Sequence, residues 1–164
     1  MEIRKLIEDD LASLAGLYQQ FWGEVSSVEK MRTTFQRLKR NPNYIFLVAE
    51  QQNRLVGSVT GIICEELYGD CKPFLVVEDV IVDQHHRRLG IGSSLMRELE
   101  RYAVKSNCNY IIFVTELERT EAHRFYESIG YKSDAYKGFK KRLKTTKTVP
   151  LTARAMPFCK VLVD

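Results

Sequence analysis

The chain of 164 residues contains no Cys-x-x-Cys pair, no apolar run approaching membrane-spanning length, no internal repeat and no low-complexity block. Each absence removes a class of protein. The four cysteines, Cys64, Cys71, Cys108 and Cys159, and the three histidines, His85, His86 and His123, do not complete a zinc spacing, so no metal is expected and reduced thiols fit best. Without a long apolar segment, no membrane partner is expected. Met1-Glu2-Ile3-Arg4-Lys5 carries no apolar core of a secretory leader, which leads to the expectation of a cytoplasmic protein. The charge excess is also small. A net charge of +4 and a pI of about 8.9 suit an anionic small molecule and do not demand nucleic acid, which is not an expected partner.

What remains is ordinary globular composition, 45% hydrophobic and 28% charged, at a length that suits one domain. Residues 1–7 read as a strand. Asp9 or Asp10 then caps a helix with Leu11, Leu14, Ala15, Tyr18, Phe21 and Trp22 on one face. Ser26 with Glu29 suggests a capping box for a second helix, which Asn41-Pro42-Asn43 ends. Strands at 44–50 and 55–64 form a hairpin, and the valine-rich 73–82 reads as a buried central strand. A helix over 92–105, a strand over 110–115, a helix from a Thr120 cap to Ile129 and short strands at 131–133 and 136–143 follow. The order β-α-α-β-β-β-α-β-α-β-β predicts a mixed α/β sheet, mostly antiparallel at its start, with one parallel crossover and helices on both faces.

The most informative segment is Val80-Ile81-Val82-Asp83-Gln84-His85-His86-Arg87-Arg88-Leu89-Gly90-Ile91-Gly92-Ser93. It runs from buried strand through a basic loop into a helix. A helix start presents unpaired N–H groups and partial positive charge, which together bind a pyrophosphate. Gly90 and Gly92 let backbone approach the oxygens, Arg87 and Arg88 add charge, and Ser93 can donate. No Gly-Lys-Ser/Thr follows, which excludes a Walker loop, and the third glycine of a Rossmann turn is missing.

Arg87-Arg88-Leu89-Gly90-Ile91-Gly92 resembles the Gln/Arg-x-x-Gly-x-Gly/Ala acetyl-CoA loop of the GNAT superfamily. Ala122-His123-Arg124-Phe125-Tyr126-Glu127-Ser128-Ile129-Gly130-Tyr131 resembles that family's second signature, Ala-x-x-Phe/Leu-Tyr-x-x-x-Gly-Phe/Tyr. The resemblance covers roughly residues 1–143, read as the acetyltransferase domain, and leaves 144–164 as an extension. Within the superfamily, residues 122–126 look closest to aminoalkylphosphonate and related small-amine acetyltransferases. The resemblance implies acetyl-CoA as cosubstrate and a small-molecule amine as partner. It implies that backbone groups of Val80, Ile81 and Val82 bond the pantetheine, and that those of Arg87, Arg88, Leu89, Gly90, Ile91, Gly92 and Ser93 bond the pyrophosphate. Gln84 stands where proline is frequent in the family. Arg119 stands where many members have an asparagine that helps hold the cofactor.

Acetyl transfer to an amine needs a neutral nucleophile, although a free alkylamine has a pKa of about 10.4, and a proton for the departing thiolate. Tyr126 matches the family's general-acid tyrosine. For the base, two carboxylates inside a valine-rich run are unusual. Strand alternation sends Glu78 and Asp79 to opposite faces. Glu78 shares the face of Val80 and is the preferred base, with Asp79 as the alternative. His123, one turn before Tyr126, could orient that tyrosine or the substrate. The competing reading is a non-catalytic acyl-CoA sensor on the same fold. A nucleic-acid module using Lys144, Lys147, Arg154 and Lys160 is disfavoured, because those charges are dispersed and lack interleaved aromatics. The apolar 156–163 leaves a homodimer open, by packing or exchange.

Overall fold

A computed structural model describes residues 1–141 and 143. The extension over 144–164, with its basic residues and its apolar dimer candidate, lies outside the described residues. The chain divides into two compact units, Met1–Phe113 and a second starting at Val114.

The first unit is a five-stranded sheet in the order β1-β2-β3-β4-β5. Its strands are β1 (Glu2–Lys5), β2 (Tyr44–Gln51), β3 (Arg54–Cys64), β4 (Phe74–Val82) and β5 (Ile111–Ile112). Helices α1 (Leu11–Trp22) and α2 (Val28–Leu38) connect β1 to β2, and α3 (Ile91–Lys105) connects β4 to β5. The first four strands pair antiparallel and β4 pairs β5 in parallel. That parallel crossover is the one the sequence order predicts. The β2–β3 hairpin closes through Gln52 and Asn53, both left-handed (φ 51° and 58°), as a two-residue turn between twisted strands requires.

Alternation along the strands divides the core in two. Val48 packs with Leu6, Leu11, Leu14 and Phe35 under α1 and α2, joined by Tyr18, Met31 and Phe46. Ala49, opposite Gly57 in the ladder, belongs to the other face, where α3 buries Ile91, Leu95, Met96, Leu99 and Ala103. Helices therefore cover both faces of the sheet. The approach of α3 is close: a Cβ built on Gly61 would lie 2.5 Å from Leu99 Cδ1, and one on Gly57 would lie 3.0 Å from the Ile81 carbonyl oxygen. A side chain at either position would have to push a neighbour aside.

Several local expectations are corrected. The cap of α2 is Ser27, not Ser26: its side chain accepts from the Lys30 amide at 3.4 Å. Asp10 does not cap α1. Its carboxylate instead accepts from the Ile7 amide at 2.9 Å and takes both guanidinium nitrogens of Arg4 at 2.7 and 2.8 Å. The strand expected over 110–115 is paired only at Ile111 and Ile112, and the two strands expected within 131–143 are absent among the described residues. The late segment contains Lys132, Ser133, Asp134, Gly138, Lys140 and Lys141, and this density of polar residues leaves little apolar alternation to hold a ladder. Thr120 opens α4 (Thr120–Ser128) without capping it, and Gly130 follows the helix at φ 99°, as its stop position predicts.

Arg4 is the tie between β1, the turn before α1 and β2, since it also reaches Glu50 at 2.5 Å. The Arg4 guanidinium holds the Asp10 carboxyl below its ordinary range, outweighing the opposing effect of burial. A carboxyl whose folded pKa is depressed adds stability above its unfolded pKa of about 3.9 and loses it as pH falls through the folded value. Urea unfolding at pH 7 and pH 3 should therefore show a loss in wild type that is smaller in Asp10→Asn. Gly61→Ala, by forcing Leu99 aside, should cost about 1–3 kcal/mol of stability in the same assay.

Candidate active site

The site is built on an irregularity in β4. The β3–β4 register passes from Thr60 opposite Glu78 to Ser58 opposite Ile81, so β4 carries one extra residue, a β-bulge. Asp79 sits in it with φ 55°, a left-handed conformation that aspartate tolerates better than most residues. Such strain persists where surrounding structure enforces it, commonly at functional sites.

The bulge overturns the simple alternation expected of Glu78 and Asp79. Glu78 lies in register with Thr60, itself opposite Phe46 of the α1–α2 core, and Asp79 is hydrogen-bonded by the Tyr18 hydroxyl of α1. Both carboxylates therefore belong to the α1 side of the sheet. They differ in environment. Glu78 is exposed and Asp79 is half-buried. Burial pushes the Asp79 carboxyl above its ordinary value, with the Tyr18 hydrogen bond opposing. Tyr18 is itself pushed well up, by burial first and then by the Asp79 charge. Ser58, at the end of the bulge, has a buried hydroxyl with no hydrogen-bond partner among the described residues.

The same strand offers an open edge. The Leu75 amide donates to the Tyr110 carbonyl on the β5 side at 3.0 Å, whereas the Asp83 amide donates to Val56 on the β3 side at 2.9 Å. Pairing with β5 covers only Leu75 and Val76. Counting back from Asp83, alternation turns the backbone groups of Val80 and Val82 to the β5 side and those of Ile81 to β3. Ile81 also buries its side chain against the core. Of the three residues expected to face pantetheine, the first and third thus present main chain to the edge.

Beyond β4, Asp83 caps a single 3₁₀ turn over Gln84–His86. Its carboxylate accepts from the His85 amide at 3.0 Å, pairs with His86 Nδ1 at 2.6 Å and accepts from Gln20 of α1 at 3.0 Å. Burial acts to raise this carboxyl, but those three partners outweigh it and hold it below its ordinary value. Arg87, Arg88 and Leu89 are exposed, and Arg88 (φ 62°) and Gly90 (φ 75°) turn the chain through two left-handed steps into α3. No side chain caps α3; the Gly90 carbonyl accepts the first helical bond from the Ser94 amide and a second from the Ser94 hydroxyl, both at 3.0 Å. The amides of Ile91, Gly92 and Ser93 precede that first bond, so they have no intrahelical acceptor. An uncapped helix start beside an open strand edge fits an extended pyrophosphate ligand such as coenzyme A.

In the second unit, Tyr126 lies on α4, half-buried, with Phe125 and Tyr131 at ring distances of 5.0 and 6.3 Å. Burial pushes its hydroxyl above the ordinary tyrosine value, with the Arg119 charge opposing. His123 Nε2 is 2.9 Å from the Glu116 carbonyl oxygen, to which it donates. That bond ties the ring to the loop before α4, a role the sequence reading of His123 missed. Among the described residues no group of metal-ligating side chains is found, and no helix is long and apolar enough to cross a membrane.

The chain belongs to the acetyltransferase (GNAT) family, whose sequence profile matches residues 11–131. An uncharacterized N-acetyltransferase of Methanocaldococcus jannaschii is 34% identical over 88 residues, 53% of this chain and 52% of that one. The chain thus spans about half the length of this relative. Among solved structures, a transcriptional regulator from Bacillus halodurans C-125 superposes with a TM-score of 0.79 at 25% identity, covering 87% of this chain and 99% of that one. An aminoglycoside N-acetyltransferase in complex with CoA superposes with a TM-score of 0.72 at 17% identity, covering 86% and 93%. That likeness shows the fold.

At Gly90 a Cβ would meet nothing within 4 Å, so strain rather than collision sets the cost of a side chain. Gly90→Ala should lower stability by about 1–2 kcal/mol, read by chemical denaturation, without loss of helical circular dichroism.

Proposed function

We propose that the protein is an acetyl-CoA-dependent N-acetyltransferase that acts on a primary amine of a small molecule by direct attack in a ternary complex. The observation that carries this reading is the uncapped start of α3 beside the open edge of β4. Acetyl-CoA supplies the acetyl group as a thioester. The amides of Ile91, Gly92 and Ser93, with Gly90 shaping the turn and Arg87 and Arg88 adding charge, hold the diphosphate. Val80 and Val82 hold the extended arm by strand-like hydrogen bonds, and Ile81 anchors that stretch of β4 to the core. Backbone N–H groups freed at the bulge are suited to meet a developing oxyanion. The β4 carboxylates, Glu78 and Asp79, provide the candidates for the base.

Tyr126, at the tyrosine position of the family's second motif, is the proposed general acid. Its raised pKa keeps the hydroxyl protonated at neutral pH and available to a departing thiolate. The sequence likeness of residues 122–126 to aminoalkylphosphonate acetyltransferases supports a small acceptor, and a cytoplasmic location agrees with the free thiols of Cys64, Cys71 and Cys108 among the described residues. A non-catalytic acyl-CoA sensor is the second reading. The fold relative named as a transcriptional regulator favours it.

Purified protein with acetyl-CoA and an amine panel should release free CoA. Tyr126→Phe should lower kcat about 100-fold with coenzyme affinity retained, and Gly90→Val should weaken coenzyme binding in a folded protein. Tight acetyl-CoA binding with no CoA release from any amine would sink the enzyme and leave the sensor.

A further inference from the structure

The start of α4 carries a residue that does not suit a helix start. Arg119 occupies the position before Thr120, with φ −86° and ψ 61°, and its side chain makes no capping bond. A side chain here stabilises a helix by accepting from its first amides. Serine, threonine, aspartate and asparagine do this; a guanidinium has no acceptor. Its charge is unfavourable as well, because the helix start is already the positive end of the dipole. Asparagine, the residue expected at 119 from the family resemblance, would avoid both penalties. Arg119 therefore costs α4 stability.

The surroundings show what the charge acts on. The Arg119 amide donates to the Glu116 carbonyl and its own carbonyl accepts from the His123 amide, both at 3.1 Å. The His123 ring is tied to the same Glu116 carbonyl at 2.9 Å, so the backbone around Arg119 is fixed. Tyr126 follows two turns later and leaves α4 on the same face. Helical side chains lean toward the N-terminus, which carries the Tyr126 hydroxyl back toward Arg119. Both residues are half-buried, whereas Arg124, on the other side of α4, is exposed. Phe125 and Tyr131 surround Tyr126 with aromatic rings. Burial raises the hydroxyl and the Arg119 charge is what opposes it.

A thioester-cleaving acid needs that opposition. A free thiol titrates at about 8.5 and a free phenol at about 10, so moving a proton from tyrosine to a thiolate runs uphill. Burial makes the climb steeper. A cation beside the phenolic oxygen stabilises the charge left behind and lowers it.

We propose that Arg119 is the positioning residue for Tyr126, its guanidinium holding the negative charge that develops on the phenolic oxygen as the hydroxyl protonates the departing sulfur. The inference rests on the acetyltransferase reading and assigns a residue to its leaving-group step. As the amine nitrogen bonds the acetyl carbon and the carbon–sulfur bond breaks, Tyr126 gives its proton to sulfur and keeps the O–H electron pair. The proton shed by the nitrogen goes to the base. The tyrosinate, paired with Arg119, regains a proton from water.

The test compares full-length wild type with Arg119→Asn and Arg119→Lys. With 3-fluorotyrosine in place of Tyr126, a more acidic phenol that reports by ¹⁹F resonance, Arg119→Asn should move the titration up by about one pH unit, and Arg119→Lys should restore most of it. An unmoved titration overturns the pairing, whether or not the protein is an enzyme. With acetyl-CoA and an amine that the wild type accepts, Arg119→Asn should lower kcat at neutral pH about tenfold. The KM of acetyl-CoA should stay within twofold, and Arg119→Lys should recover most of the loss. Urea unfolding should find Arg119→Asn at least as stable as wild type, so that lost turnover is not lost fold; a lowered midpoint assigns Arg119 to the fold instead. Wild-type kcat in Arg119→Asn overturns the role while the acetyltransferase reading stands. No CoA release by wild type from any amine overturns both.

Discussion

The extra residue in β4 is the constraint around which the first unit is arranged. A strand of strict alternation would keep Glu78 and Asp79 on opposite sides and carry the β3 ladder unbroken to Val82. With one residue more than its partner, β4 places Asp79 in a left-handed conformation facing α1 and turns Val80 and Val82 to the side that β5 covers for only two residues. The carboxylate that meets Tyr18 and the backbone that faces the strand edge are therefore two results of one distortion. Removing the bulge would lose both together.

Much of this was legible in the residues. The hairpin follows from two apolar runs around Gln51-Gln52-Asn53, the central strand from its valines, and the crossover helix from Leu95, Met96 and Leu99. The turn into α3 follows from two glycines after a basic loop, and the structure adds why Gly90 is there: its φ of 75°. The family is read from two motifs, and the profile match over residues 11–131 agrees.

Other features had no local signal. A bulge depends on how two strands far apart in sequence fall into register, and nothing in Val77-Glu78-Asp79-Val80 marks the skipped pair. The contrast between an exposed Glu78 and a half-buried Asp79 follows from it. The partnership of Tyr18 with Asp79 spans sixty-one positions, and periodicity could place Tyr18 only on the inner face of α1. The cap at Ser27 rather than Ser26 is a choice between identical side chains made by backbone angle. The late strands failed for the opposite reason: the aromatics Tyr131, Tyr136 and Phe139 suggest pairing that their polar neighbours do not sustain.

Asp83 links elements that the sequence separates. One carboxylate holds Gln20 near the end of α1, the amide of His85 and the ring of His86. Helix α1 and the turn that feeds α3 are thereby joined through a single side chain. A shift of α1 must break that hydrogen bond or draw the turn with it. Because the bond is exposed, water competes for it, and the joint can yield without unfolding either element.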